Sequence, residues 1–234
     1  MSDENPLPHD PLSLVETRIL GCLIEKEATT PDIYPLTLNS LVNACNQKSN
    51  RAPTLELDDE AVSAGLESLR HKRLALLVTQ TASRVAKFKH SLDNHYPLPN
   101  PQAAILAELL LRGPQTAGEL RTRCERMSHF EDLDAMRDEI EQLMARATPL
   151  VVELPRQPGK KDARYAQLLS GPIDLEALAT PATSSSAPVK VDVSMTLPAE
   201  AEARIAALET TVAEQASTIA ALREELAAFR SQFE

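Results

Sequence analysis

The chain has 234 residues, of which 43% are hydrophobic, 25% charged and 3% aromatic, and its formal net charge at pH 7 is -10. This excess of acid argues against a protein that coats nucleic acid non-specifically and against an anionic membrane surface as a partner. The start, MSDENPLPHD, lacks the apolar run of a signal peptide, and no stretch approaches the roughly 18 apolar residues of a membrane span, so we expect a cytoplasmic protein.

The first part of the chain predicts three helices followed by a β-hairpin. Residues 13–27 have the pattern of an amphipathic helix that opens with a capping box, and residues 38–45 predict a second, shorter helix. A third helix begins near Asp58, where acidic residues suit the positive end of the helix dipole. The hydrophobic period then changes from 3.6 to 2 in residues 74–80 and 85–90, which predicts two short strands.

The same order of elements then recurs. Asn100 is a candidate N-cap for a fourth helix, and Thr116 is a candidate N-cap for a fifth. A sixth helix is predicted over residues 131–147, and residues 150–154 and 163–169 predict a second hairpin. The chain therefore predicts an α+β fold, mainly helical with small β-hairpins, built as tandem winged-helix domains plus a C-terminal coiled-coil helix.

The composition changes after Gly171, where a Ser-rich, low-complexity stretch separates the repeats from a heptad pattern. We expect five segments: a disordered N-terminus (1–11), a first winged-helix domain (12–97), a second (98–171), a flexible linker (172–197) and a coiled-coil helix (198–234).

The C-terminal segment predicts a parallel homodimer. Its apolar residues alternate steps of three and four, and mostly β-branched a positions with Leu at most d positions favour a parallel two-stranded coil. The alternative is an amphipathic helix that folds back on its own domains. The predicted seam consists of Ile205, Leu208, Val212, Gln215, Ile219, Leu222, Leu226 and Phe229.

Three segments carry a family resemblance. GCLIEKEATTPDIYPLTLNSLVNACNQKSNR (21–51), LLLRGPQTAGELRTRCERMSHF (109–130) and LPRQPGKKDARYAQLLSG (154–171) closely resemble the bacterial YceH family. The resemblance covers residues 12–171 and implies a tandem winged-helix fold. It implies no catalytic residues, because the family is essentially uncharacterised. The linker and heptad tail are interpreted as features of this chain.

The sequence offers no convincing catalytic or metal site. Cys22, Cys45 and Cys124 each fall on an apolar helix stripe, where small buried thiols are common, and none has CxxC spacing. The five histidines make no HExxH or paired spacing, and no phosphate-binding glycine motif occurs. We therefore expect a protein that is not an enzyme and needs neither a metal nor a cofactor.

The strongest signal for nucleic acid is a basic stretch around the first hairpin. No acid occurs between Glu67 and Asp93, and Lys87 and Lys89 alternate with Phe88, so both lysines are expected to face outward. The amide-rich loop NACNQKSNR has the composition of either a further contact or a simple polar loop. The candidate contacts to DNA phosphates are Arg70, Lys72, Arg73, Arg84, Lys87 and Lys89, with Lys48 and Arg51 from the loop.

Acidic residues oppose the usual docking of a recognition helix. The third helix begins with Asp58, Asp59 and Glu60, at the end that usually meets the bases, and the sixth helix is more acidic still. The wings and second helices are therefore the expected contacts in both domains. The second domain adds Arg121, Arg123, Arg126, Arg156, Lys160 and Lys161 as secondary candidates.

Two functions of different classes remain. The first is a dimeric regulator that binds double-stranded DNA through its basic wings. The second is an acidic protein–protein interaction module, or an accessory subunit of a larger complex, that does not bind DNA directly. The second rests on acidity and on an analogy with the tandem winged-helix subunits of bacterial chromosome-organising complexes.

Overall fold

A computed structural model describes residues 7–79, 85–156, 161–173 and 189–190, together with ten separate positions between 204 and 219. The predicted class is confirmed: the fold is α+β, mainly helical, with small antiparallel sheets. The chain divides into two compact units, residues 1–191 and 192–234. None of the helices in the described part of the chain is long and apolar enough to cross a membrane.

The first repeat has three helices and a three-stranded sheet. Its sheet has the order β1-β4-β3, with all neighbours antiparallel. The capping box predicted at Ser13 is present, since its hydroxyl accepts from the Glu16 amide and its own amide donates to the Glu16 carboxylate. The elements are α1 (Leu14–Thr29), β1 (Leu36–Thr37), α2 (Leu38–Cys45), β2 (Leu55–Glu56), α3 (Asp59–His71), β3 (Ala75–Val78) and β4 (Lys87–His90), with 3-10 turns at Pro31–Ile33 and Leu92–Asn94.

The second repeat has the same topology. Its sheet order, β5-β7-β6, places the short strand before the second helix beside the second strand of the hairpin, as in the first repeat. Thr116 caps its helix as predicted, but Asn100 is the first residue of α4 and Pro99 stands at the N-cap without a side-chain bond. The elements are α4 (Asn100–Arg112), β5 (Gln115–Thr116), α5 (Ala117–Cys124), α6 (Leu133–Met144), β6 (Val151–Glu153) and β7 (Arg164–Gln167).

The two repeats share one hydrophobic core, because α1 packs along α4 more extensively than any other two described helices pack together. The close approach requires a glycine. A Cβ atom at Gly21 would lie 2.9 Å from Leu111 Cγ and 3.1 Å from Leu110 Cβ. The two predicted domains, 12–97 and 98–171, therefore lie within a single compact unit.

The sequence predicts disorder over residues 1–11, but residues 7–11 are held against the fold. Leu7 and His9 are buried, and the His9 Nε2 atom lies 3.1 Å from the Tyr96 hydroxyl oxygen. Further along, the Leu12 amide donates to the Leu169 carbonyl at 2.9 Å. An apolar side chain and a bonded imidazole thus hold this segment against both repeats.

The predicted linker and tail are described only in part. Residues Val189–Lys190 form a short strand, β8, which pairs in parallel with β2. In the tail, Val212, Gln215 and Ile219 are helical and exposed, like the other described residues there, and the seam stays a prediction. The other seam positions, Ile205, Leu208, Leu222, Leu226 and Phe229, lie outside the described residues.

A buried ion network joins α1 to α4. Glu25 and Glu108 are both 0% exposed. Arg51 donates to both carboxylate oxygens of Glu25, at 3.1 and 2.6 Å, and Arg126 bonds Glu25 and Glu108 together. Arg112 lies beside Glu108, with its Nε atom 3.3 Å from Oε2. These five residues, the interhelix ion network, come from both repeats.

The network sets the charge state of Glu25. Burial raises the pKa of this carboxyl, but the hydrogen bonds and charges of Arg51 and Arg126 outweigh burial and leave the pKa below its ordinary value of 4.5. Glu25 is therefore ionised in the folded protein at neutral pH. Its contribution to stability is present above the unfolded-state pKa and is lost as the pH falls through the folded-state pKa.

Replacing Glu25 with Gln should destabilise the fold strongly, because the buried Arg51 guanidinium loses its counter-charge. We expect the free energy of unfolding, measured with urea, to fall by about 3–5 kcal/mol. The control is Glu27→Gln, which removes a half-exposed carboxylate paired with His90 and should cost less than about 1 kcal/mol. As the pH is lowered from 6, the free energy of unfolding of the Glu25 variant should also decrease less than that of the native chain. Equal losses in the two variants would contradict the structural role of the network.

Candidate nucleic-acid interface

The first hairpin presents its two lysines on one face. Lys87 lies opposite Val78 and Lys89 opposite Leu76 in the antiparallel register, and Phe88 between them packs against the core. Side chains alternate across a strand, so Lys87 and Lys89 point away from the core as predicted. Both are half-exposed and make no hydrogen bond or ion pair with any residue that the structure describes.

The other predicted contacts near this hairpin differ in availability. Arg70 pairs with Glu67 at 2.5 Å on the surface. Lys72 donates to both Glu16 oxygens, at 2.7 and 2.9 Å, and to the Pro11 carbonyl, so its donors are engaged. The sequence-based prediction of Lys72 as a DNA contact is therefore wrong. Arg73 is exposed at the end of α3, whereas Arg84 lies outside the described residues.

The two predicted contacts of the amide-rich loop differ in exposure. Lys48 is exposed and has no partner among the described residues. Arg51 is buried, with its guanidinium held by Glu25, the Ala44 carbonyl and Gln47. The prediction of Arg51 as a DNA contact is wrong, because its donors all point into the protein.

Three arginines within or just after the fifth helix bind groups of the same chain. Arg121 donates to the Phe130 and Glu131 carbonyls, at 3.4 and 3.0 Å. Arg123 donates to Gln115 Oε1 at 2.6 Å and pairs with Glu119, and Arg126 belongs to the interhelix ion network. Carbonyls, an amide oxygen and carboxylates of the same chain thus engage part of their donors, and a contact of these side chains with DNA stays a prediction.

The second hairpin keeps part of its predicted basic surface. Arg156 and Lys161 are exposed and have no partner among the described residues, and Asp162 beside them is exposed too. Lys160 lies outside the described residues. This surface therefore carries a weaker excess of positive charge than that of the first hairpin.

The acidic helix starts have a local structural role. Asp58 accepts from the Ala61 amide at 2.8 Å and caps α3, and Asp132 accepts from the Ala135 amide at 2.8 Å and caps α6. Asp59 and Glu60 are exposed in the first turn of α3. The end of α3 that would meet the bases thus presents carboxylates to solvent.

The cysteines lie in the core as predicted. Cys22, Cys45 and Cys124 are all buried free thiols. Burial raises the pKa of Cys124 well above its ordinary value, so this thiol is protonated and unreactive. Within the described residues no group of three or more His, Cys, Asp or Glu side chains is placed to hold a metal ion.

Sequence reasoning missed Glu25 and Glu108, the anionic centres of the interhelix ion network. A signal was present in both helices. Glu108 interrupts the apolar run AAILAELLL, and Glu25 follows Arg18 and Cys22 on the same helix face. A buried acid on an apolar stripe requires a counter-charge, and Arg51 and Arg126 provide it.

Comparisons with known proteins identify the family of the chain. Residues 12–160 match the family described as "Protein of unknown function, DUF480". The chain belongs to this family. It is 59% identical over 160 residues to a UPF0502 protein of Geotalea daltonii, a match that covers 68% of this chain and 73% of the relative.

Longer matches extend past the repeats. The chain is 50% identical over 223 residues to a UPF0502 protein of Geotalea uraniireducens, and 47% identical over 223 residues to one of Pelobacter propionicus, each match covering 95% of this chain and 98% of the relative. A match of this length includes residues beyond 171, so the interpretation of the tail as a feature of this chain alone is wrong. DUF480 is an uncharacterised bacterial family.

Proposed function

We propose that the chain is a non-enzymatic, dimeric DNA-binding protein of the bacterial cytoplasm, whose two repeats are winged-helix domains. Membership of the YceH family, which the sequence resemblance implies, belongs to the same proposal. The observation that carries it is the pair Lys87 and Lys89, which share the outer face of the first hairpin without a carboxylate partner among the described residues.

The topology supports the winged-helix interpretation. In each repeat a short strand precedes the second helix and pairs with the second strand of the hairpin, which lies after the third helix. This arrangement fixes the hairpin at one edge of the three-helix cluster, where a wing is free to reach a phosphate backbone.

The pairing of the basic side chains supports the wing as the part of the protein that contacts DNA. Of the cations that the sequence predicted in the first repeat, Arg51 and Lys72 are engaged inside the protein and Arg70 is paired on its surface. Lys87, Lys89, Lys48 and Arg73 remain available to phosphates. Lysines that contact phosphates provide affinity that depends on salt and carries little sequence information.

The third helix argues against strong base readout. Asp58, Asp59 and Glu60 stand at its exposed start, and carboxylates close to phosphates are repelled. We therefore propose backbone binding by the wing, with two weak contacts made together in a dimer. The tail supports dimerisation, because Val212 and Ile219 are 63% and 51% exposed on a helix.

A second candidate is an acidic protein-interaction module. It is favoured by α6, where Asp134, Asp138 and Glu141 are exposed and the nearby Arg137 pairs with Asp134. Such a surface suits a basic partner protein. DNA binding through the wing and protein binding through α6 would use different faces of different repeats.

Replacing Lys87 and Lys89 with Ala should weaken duplex DNA binding and flatten its salt dependence. Two lost phosphate contacts lower the slope of log affinity against log salt by about 1.8. The measurement is fluorescence anisotropy of a labelled duplex across a salt titration.

A matched control removes the same charge elsewhere. The variant Lys160→Ala with Lys161→Ala changes the second hairpin by two lysines and should change the slope by less than half as much. Identical slopes for both variants, or duplex binding that the first variant leaves unaltered, would remove the first hairpin from the interface.

Replacing Ile219 and Leu222 with Asp should dissociate the dimer, since it places charges at adjacent a and d positions of the seam. Light scattering should then report the 25.6 kDa of one chain, against twice that mass for the native protein. The control, Ser217→Asp with Ala220→Asp, adds the same charge at positions outside the seam and should stay dimeric. A native chain that scatters as a monomer at tens of micromolar would contradict the coiled-coil assignment.

A further inference from the structure

Two adjoining cavities flank the N-terminal segment where it crosses the base of the first hairpin. One has a volume of about 380 Å³ and the other about 660 Å³. They share Pro8 and His95 in their walls. Volumes of this size are typical of small-molecule sites. Neither cavity includes Lys87 or Lys89, so this place is separate from the proposed DNA contact.

The first cavity is lined by the end of α3. Arg73 stands there in a left-handed conformation, with φ of 57°, and its carbonyl accepts from the Ser91 hydroxyl at 2.9 Å. Its backbone is thereby fixed, whereas its guanidinium makes no hydrogen bond or ion pair with the described residues. Arg73 therefore brings an unneutralised charge to the cavity wall.

Two imidazoles in the first cavity have a defined proton arrangement. His71 Nδ1 lies 2.8 Å from the Glu67 carbonyl, and His95 Nε2 lies 3.0 Å from the Lys72 carbonyl. Because a carbonyl oxygen only accepts, both of these nitrogens carry the proton. Each of the two rings is therefore held in the cavity wall by a backbone carbonyl.

The nearest carboxylates are mostly neutralised. Lys72 holds Glu16, and Arg70 holds Glu67. Asp10 is the carboxylate that lines the first cavity, and its charge opposes an anion. Removing the Asp10 charge should raise the affinity for an anion, whereas removing an arginine should lower it.

The second cavity adds an arginine from the other repeat. Arg146 follows α6 and lines this cavity with Asn94 and Thr148. Like Arg73, it makes no hydrogen bond or ion pair within the described part of the chain. An anion in the paired cavities would thus meet a guanidinium from each repeat, with His95 between the two cavities.

We propose that these cavities form one binding site for a small phosphorylated compound, anchored by Arg73 and Arg146 and bounded by His71 and His95. Guanidinium groups bind phosphate oxygens in a bidentate fashion, which gives such a ligand both affinity and orientation. The site would make occupancy by a phosphorylated ligand depend on both repeats and on the N-terminal segment.

The test is isothermal titration of the full chain with pyrophosphate at pH 7 and low salt. Arg73→Gln and Arg146→Gln should each weaken binding about tenfold, and Asp10→Asn should strengthen it about threefold by removing a repulsive charge. The control, Arg137→Gln, removes an exposed arginine paired with Asp134 on α6 and should change the affinity less than twofold. Circular dichroism melts confirm that each variant is folded.

A further arm separates this site from the DNA contact. The variant Lys87→Ala with Lys89→Ala should retain native pyrophosphate affinity. Absence of binding to the native chain, equal loss in the Arg137 control, or loss in the lysine variant would overturn the proposal. None of these outcomes depends on whether the chain binds DNA.

Discussion

Two buried carboxylates constrain the rest of this structure. Glu25 and Glu108 are fully enclosed between α1 and α4, and a buried charge is tolerated only with counter-charges and hydrogen bonds around it. Arg51 and Arg126 provide these and come from different repeats. The network therefore forms only when both repeats are in place, and the glycine at position 21 allows the helices to approach closely enough for it.

The same constraint determines which cations are available to a ligand. Arg51 and Arg121 donate to a carboxylate and to backbone carbonyls of the same chain, while Lys87 and Lys89 remain outside on a short hairpin. In a chain with a net charge of -10, the local excess of positive charge is therefore confined to small areas. The proposed wing contact and the proposed phosphate site occupy two such areas at opposite parts of the first repeat's hairpin, its outer face and its base.

Much of the fold could be predicted because it depends on local rules. Ser13 and Thr116 mark the starts of their helices, where both form capping boxes. The alternation of Lys87, Phe88 and Lys89 indicates which face of the strand is turned to the core. The sequence does not predict strands β1 and β5, because each has only two residues and is too short to show the alternation of a strand. The inward turn of Arg51 was missed for a different reason: its partner, Glu25, lies 26 positions away, and only packing brings them together. Charge patterns in sequence locate basic residues but do not distinguish paired from unpaired ones.

The central claim, that Lys87 and Lys89 of the first hairpin contact DNA while Lys72 holds the fold, can be tested by lysine footprinting. The full chain is acetylated briefly with and without duplex DNA, and the modification of each lysine is quantified by mass spectrometry. The account predicts that Lys87 and Lys89 are protected by DNA, whereas Lys72, held by Glu16, reacts slowly in both samples. Unchanged reactivity of Lys87 and Lys89 at saturating DNA would contradict it.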